Sequence, residues 1–283
     1  MCRWNAYYGQ PLLIEALLFN MDHSLIDQSL HSRMGVETTN GDGFGIGWYG
    51  GSTGRPCRYR SIGPAWSDVN LRELAAHVES PIFLAHIRAT TGTPVQQTNC
   101  HPFRHQNWLF VHNGVLNDFH KIRRELVMAV DPIYFDDIAG STDSETLFYL
   151  ALTLGLENDP LDAMERAVGF VEHTARAHGI EHPVQMTVGI SNGERLWAIR
   201  YASEGTPRTL FVSEDVTALK ALHPESEELR RLGGEDRAIV SEPLGDRLPG
   251  AWIEIPPSTA VIVQPGPDEQ RPFTPRVPEA VVG

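Results

Sequence analysis

From Val184 onward the chain reads as a succession of short alternating strands, at about 184–191, 195–202, 209–213, 237–241 and 259–264, divided by Gly, Pro, Asp and Asn. Two helical patterns precede that run. One follows Thr142–Glu145 to Leu156, with Ser141 or Thr142 as its cap, and the other spans Leu161 to His178 and is ended by Gly179. Ahead of these lie a strand IFLAHIRAT, a strand from Trp108 to His112, and amphipathic helices over Leu71 to Ser80 and Phe119 to Val130. Strands, then helices, then strands point to an α+β layered domain and away from alternating βαβ units.

The two ends are less patterned. A short strand is expected around Cys2 to Tyr8, a helix near Leu12 to Phe19 and a polar loop from Asp22 to Ser32. The segment QPGPDEQRPFTPRVPEAVVG offers little to bury, so residues 265–283 are expected to be a loosely held, flexible tail after a domain spanning residues 2–264. The formal net charge of -13 argues against nucleic-acid or anionic-membrane partners, which require clustered Lys and Arg. No apolar stretch approaches the roughly 20 residues of a spanning helix. Three cysteines, at positions 2, 57 and 100, are too few and odd in number for a disulfide framework. A cytoplasmic, reducing compartment is expected.

Two motifs invite readings that their context rejects. Gly45-x-Gly47-x-x-Gly50 has dinucleotide-binding spacing, but a phosphate-binding version must open a helix, and Gly51-Ser52-Thr53-Gly54-Arg55-Pro56 is a turn. Its alternation of glycine with bulky residues suits a twisted strand packed against another backbone. His86, His101, His105 and His112, with Cys100 adjacent, suggest a metal, yet no pair shows zinc-ligand spacing backed by a second pair. No metal is expected.

Cys2 carries the sharpest chemical signal. Removal of Met1 would leave a thiol beside a free α-amino group, so nucleophile and base belong to one residue. An α-amino group titrates near ~7.7–8.0 and a free thiol near ~8.5, which lets the amine accept the thiol proton at neutral pH. Four further stretches accompany it: Asp42-Gly43-x-Gly45-Ile46-Gly47, Ala85–Phe103 (AHIRATTGTPVQQTNCHPF) with its Asn-x-His-Pro element, VHNG at 111–114, and Ser141-Thr142-Asp143-Ser144-Glu145. In this order, after Met1-Cys2, they closely resemble the signature of the class II glutamine amidotransferases.

That resemblance implies a four-layer αββα N-terminal-nucleophile hydrolase fold, with two antiparallel sheets between helical layers. It implies cleavage of the γ-amide of glutamine or a γ-glutamyl compound through a thioester on Cys2, without metal or organic cofactor. By the same carry-over Asn113 and Gly114 form the oxyanion hole, Arg88 and Thr91 take the substrate α-carboxylate, Asp143 takes the α-ammonium, and His101 shapes the pocket. Ala89 departs from the aromatic residue that often follows the family's arginine, and Cys100 from its usual alanine. Asp42 and Gly43 are expected to position the loop near the nucleophile. The partner is a small-molecule γ-glutamyl amide. Left open are an ammonia-donating subunit serving a separate synthase and a catalytically silent γ-glutamyl-binding subunit that retains Met1.

Overall fold

A computed structural model of the chain describes residues 2–34, 39–50, 54–90, 92–214, 220, 230, 232–245 and 251–278. Among these the strands, in chain order, are β1 (Arg3–Leu13), β2 (Phe44–Trp48), β3 (Cys57–Ser61), β4 (Glu79–Ile87), β5 (Phe103–His105), β6 (Trp108–Leu116) and β7 (Val184–Ser191). They continue as β8 (Leu196–Ala202), β9 (Phe211–Ser213), β10 (Arg237–Val240), β11 (Trp252–Glu254), β12 (Thr259–Val263) and β13 (Glu269–Pro272). The α-helices are α1 (Ile14–Leu18), α2 (Leu25–Leu30), α3 (Val69–Ala75), α4 (Phe119–Met128), α5 (Pro132–Phe135), α6 (Asp143–Thr153) and α7 (Pro160–Ala177).

The strands form two antiparallel sheets, one ordered β11-β9-β10-β1-β4-β2-β3 and the other β13-β12-β8-β7-β6-β5. Because side chains alternate across a strand, each central strand must be apolar on both faces if both are covered. β4 meets that demand: Ile82 and Leu84 join a cluster with Trp4, Leu109, Val111 and Ala198 between the sheets, whereas Phe83, Ala85 and Ile87 pack with Ile14, Leu17 and Leu71 of the first helical layer. On β6, Leu109 and Val111 face the first sheet, and Phe110 stacks on Phe148 of α6, 5.1 Å between ring centroids. The layers are therefore α1–α3, first sheet, second sheet, then α4, α6 and α7, the αββα order that the resemblance implies.

Several local expectations change. The polar loop from Asp22 contains α2, opened by a capping box in which Ser24 and Asp27 bond reciprocally. The first strand runs through Leu13, so the helix expected from Leu12 is reduced to Ile14–Leu18. A strand not expected from the sequence, β3, begins at Cys57. The tail expected to be flexible from residue 265 is docked through residue 276. β13 pairs with β12, Phe273 is buried, and Arg276 N–H donates to the Glu165 carbonyl at 3.1 Å on α7. Its anchor is the one large apolar residue in a polar stretch. Among the described residues no helix is long and apolar enough to cross a membrane.

Candidate active site

One cleft of about 330 Å³ receives Cys2, Arg88, His101, Gly114 and Asp143, with Thr90, Thr93, His112, Asp118 and Ser144 among the rest of its wall. Five separate segments deliver these side chains. Cys2 precedes β1, Arg88 follows β4, His101 precedes β5, Gly114 lies within β6, and Asp143 opens α6. Thr91 lies outside the described residues.

Cys2 is half-buried, and its Sγ touches the backbone of Ala89, accepting from the N–H at 3.4 Å and facing the carbonyl at 3.5 Å. Burial pushes the thiol up, while the Ala89 contact and positive charges including Arg88 and Arg208 pull in the opposite direction. The thiol is thus protonated at neutral pH until a base takes its proton.

Arg88 is buried, and its hydrogen-bond partners among the described residues are neutral. Its Nη2 donates to Thr93 Oγ1 at 2.6 Å and to Thr90 Oγ1 at 3.3 Å, and its Nη1 to the Asp42 carbonyl at 3.3 Å. Among the described residues it has no ion pair. The loop that holds it is fastened by the Asp42–Gly43 turn: Arg88 N–H donates to Gly43 O at 2.8 Å, and Thr90 N–H to Asp42 Oδ2 at 2.8 Å. Gly43 has a φ of 105° there, a region open to glycine.

Asp143 is likewise without a cation among the described residues. Thr142 caps α6 through Glu145 N–H at 3.1 Å, so Thr142 and not Ser141 fills that role. The Asp143 carboxylate accepts from Leu116 N–H at 2.8 Å, which fixes it against β6, and from Ser144 N–H at 2.8 Å. The helix N-terminus further favours its negative charge. Asn99 joins the two anchors. Its amide donates to Pro94 O at 3.0 Å, in the segment after Arg88, and accepts from Ser141 N–H at 2.9 Å, two residues before Asp143.

Asn113 is 2% exposed, and the cleft wall on β6 is formed by His112, Gly114, Val115 and Leu116, not by Asn113. Strand alternation sets it on the side of β6 shared with Leu109 and Val111, facing the sheet that Cys2 leads into. Gly114 has no room for a side chain: a Cβ would stand 2.0 Å from the Gln185 carbonyl.

His86, His101 and His112 form a buried imidazole group behind the cleft. The His86 and His101 rings lie 4.1 Å apart, His86 Nε2 is 3.1 Å from His112 O, and His112 Nδ1 is 2.7 Å from Ser144 Oγ. Burial pushes His86 down to about 3, His101 well below its ordinary value and His112 down as well, so all three are neutral at pH 7. His105 stands apart, beside Asp137. Among the described residues no group of three or more His, Cys, Asp or Glu could hold a metal ion. Gly45 and Gly47 serve close packing of β2: their Cβ atoms would meet His101 O at 2.2 Å and Leu109 at 2.9 Å. Sequence reasoning missed Thr93, Ser144 and the bridging use of Asn99. Each lay inside a quoted motif, where a hydroxyl or amide beside a charged residue is the available signal.

Arg88, just after β4, and Asp143, at the head of α6, share one cleft with the N-proximal Cys2 thiol, and neither has a counter-charge among the described residues. The profile of the class II glutamine amidotransferases matches residues 14–212, and the chain belongs to that family, enzymes that act on carbon–nitrogen bonds. The chain is 30% identical over 293 residues to the probable glutamine amidotransferase DUG3 of Saccharomyces cerevisiae, covering 93% of this chain and 82% of that protein. It is 30% identical over 201 residues to the gamma-glutamyl-hercynylcysteine sulfoxide hydrolase of Mycolicibacterium smegmatis, covering 70% and 78%. The solved structure of a glutamine aminotransferase class-II domain protein from Silicibacter pomeroyi superposes with a TM-score of 0.71 at 32% identity, covering 97% of this chain and 100% of the other.

Proposed function

We propose that this enzyme hydrolyses the γ-amide of glutamine or of a γ-glutamyl compound, with Cys2, freed of Met1, as nucleophile. The observation that carries this reading is the unpaired Arg88 and the unpaired Asp143 on one cleft. A buried guanidinium and a fixed carboxylate, each lacking a counter-charge among the described residues, are complementary to the α-carboxylate and α-ammonium of a free amino acid. A γ-glutamyl group held at both charges extends its far carbonyl toward the thiol. The cleft volume, near the lower end of the ~300–1,000 Å³ of small-molecule sites, suits such a substrate.

The chemistry follows from the protonation states. Because burial keeps the thiol protonated, its proton passes to the Cys2 α-amine as sulfur attacks the γ-carbon. Asn113 and the Gly114 N–H stabilise the oxyanion. The amine then gives the proton to the departing nitrogen, and water cleaves the γ-glutamyl thioester to release the acid and regenerate the thiol. His101, neutral and buried, shapes the wall and is not the base.

The test is intact-mass analysis followed by assay of glutamine, glutathione and other γ-glutamyl amides with wild type and Cys2→Ala. The expected result is a chain lacking Met1 and turnover of at least one substrate that Cys2→Ala abolishes. Full activity of Cys2→Ala overturns the mechanism. Met1 retained in protein from its own cells points to a binding subunit, and ammonia release only after mixing with a second protein points to a donor subunit.

A further inference from the structure

The β1–β10 ladder continues beyond its last paired residues. Asn5 is opposite Val240, Ser241 N–H donates to Trp4 O at 3.0 Å, and Glu242 therefore comes opposite Arg3. The Arg3 Nε and Glu242 Oε2 are 3.1 Å apart, and both side chains are almost wholly buried. The Glu242 carboxylate also accepts from Ser32 Oγ at 3.0 Å and from Arg33 N–H at 2.8 Å, and lies 2.6 Å from His23 Nε2. Arg3 Nη2 donates to Ser32 Oγ, and its remaining arm, Nη1, donates to the carbonyl of Cys2 at 2.9 Å.

We propose that Arg3 and Glu242 form a positioning clamp for the nucleophilic residue, with Glu242 aiming the Arg3 guanidinium and Arg3 holding the Cys2 carbonyl. The proposal rests on the reading of Cys2 as nucleophile. Once Met1 has left, the Cys2–Arg3 peptide is the sole covalent tether of residue 2, and β1 pairing begins only at Arg3. The thiol and the α-amine both hang from the same Cα. A turn of that peptide plane swings nucleophile and base together, away from the carbonyl they attack. The Ala89 contacts at 3.4 and 3.5 Å restrain the sulfur, and Arg3 restrains the plane. A displacement of about 1 Å in such a group costs on the order of 10²-fold in rate.

Burial of an ion pair is expensive, and a pair whose two charges are fully hydrogen-bonded can nevertheless fix a geometry. Burial alone would raise the Glu242 carboxyl, but the His23, Arg33 and Ser32 hydrogen bonds and the Arg3 charge bring it down to about 2, so it stays ionised wherever the enzyme works. Neither residue lines the cleft. Both act through Cys2 and touch no substrate.

The variants Arg3→Lys and Glu242→Gln test this, with Arg3→Ala and Glu242→Ala beside them. A single ammonium cannot serve Glu242, Ser32 and the Cys2 carbonyl together, and a Gln amide presents N–H groups to donors. For Arg3→Lys and Glu242→Gln the expected result, on chains shown by mass to lack Met1, is a kcat lowered roughly 10- to 100-fold with KM within about twofold of wild type. Arg88 and Asp143, which hold the substrate, are untouched. The rate of Cys2 alkylation by iodoacetamide should change in the same variants. Should the alanine variants fail to fold, the Lys and Gln variants decide. An unchanged kcat, or a loss of kcat that tracks a lowered melting temperature with KM rising in step, overturns the clamp. Activity surviving in Cys2→Ala overturns the nucleophile reading itself. A Cys2-dependent enzyme indifferent to Arg3→Lys and Glu242→Gln overturns the clamp alone.

Discussion

Gly45 runs so close to His101 that a Cβ on Gly45 would lie 2.2 Å from the His101 carbonyl oxygen. The obstacle is backbone, which cannot rotate aside. Gly45→Ala should therefore cost about 1–3 kcal/mol of stability and displace the His101 segment of the cleft wall. The midpoint of urea unfolding measures the first effect, and an unshifted midpoint would show that β2 is not pressed against that carbonyl.

Asn113→Ala addresses the oxyanion role. Loss of one such donor lowers kcat by roughly 10²–10³-fold, with KM little altered, because the donor acts on charge that develops only in the transition state. Steady-state kinetics on the best substrate of the γ-glutamyl panel reads it. A rise in KM with kcat intact would assign Asn113 to substrate binding instead.

Arg88→Lys should raise KM roughly 10- to 100-fold, since a hydrogen bond to a charged group contributes ~1.5–3 kcal/mol and an ammonium cannot reproduce a guanidinium fork. Thr93→Val, which removes the partner at 2.6 Å, should shift KM the same way by less. Equal KM values for wild type and Arg88→Lys would remove Arg88 from the α-carboxylate.

Much of this arrangement could be read in advance, and the parts that could not share a cause. β7, expected at 184–191, and α7, expected from 161 to 178, are long and apolar on the faces they bury, so their periodicity shows. β3 is CRYRS and β13 is EQRP, polar strands at sheet edges, where hydrogen bonding to a neighbour replaces apolar alternation. α2 buries Gln28 and Ser29 beside Leu25 and Ile26, so its short inward face is half polar and its hydrophobic signature is weak. The motif residues around Arg88 and Asp143 stood out because their neighbours in the chain are also their neighbours in the site. Glu242, 239 positions from Arg3, had no local signal at all.

Acid should destabilise the fold early. His86, His101 and His112 titrate lower in the folded chain than their unfolded value near ~6.5, chiefly through burial. The unfolded chain then binds protons first, so stability is complete above ~6.5 and declines as pH falls, at up to about 1.4 kcal/mol per pH unit for each imidazole. Glu242, lowered from 4.5 to about 2, adds a further loss below ~4.5. Denaturation midpoints between pH 8 and 4 follow this, and a flat profile would mean that the imidazoles are not held neutral.

The docked C-terminal segment supplies a last expectation. Phe273 is 2% exposed, and its ring meets Tyr201 5.3 Å away. Phe273→Ala should cost ~3–5 kcal/mol, the range for a large aromatic removed from a core. A loss below ~1 kcal/mol would mark the segment as loosely held after all.

Arg88 follows a strand of the first sheet and Asp143 opens the helix packed on the second, so these two charges of the cleft come from opposite halves of the sandwich. An occupant gripping both acts as a rivet through the layers. Its binding energy is felt as resistance to the sheets parting: each tenfold of ligand above its dissociation constant adds about 1.4 kcal/mol against unfolding. Amide protons along β4 and β6 would exchange more slowly while the rivet is in place, and the enzyme would be sturdiest when fed.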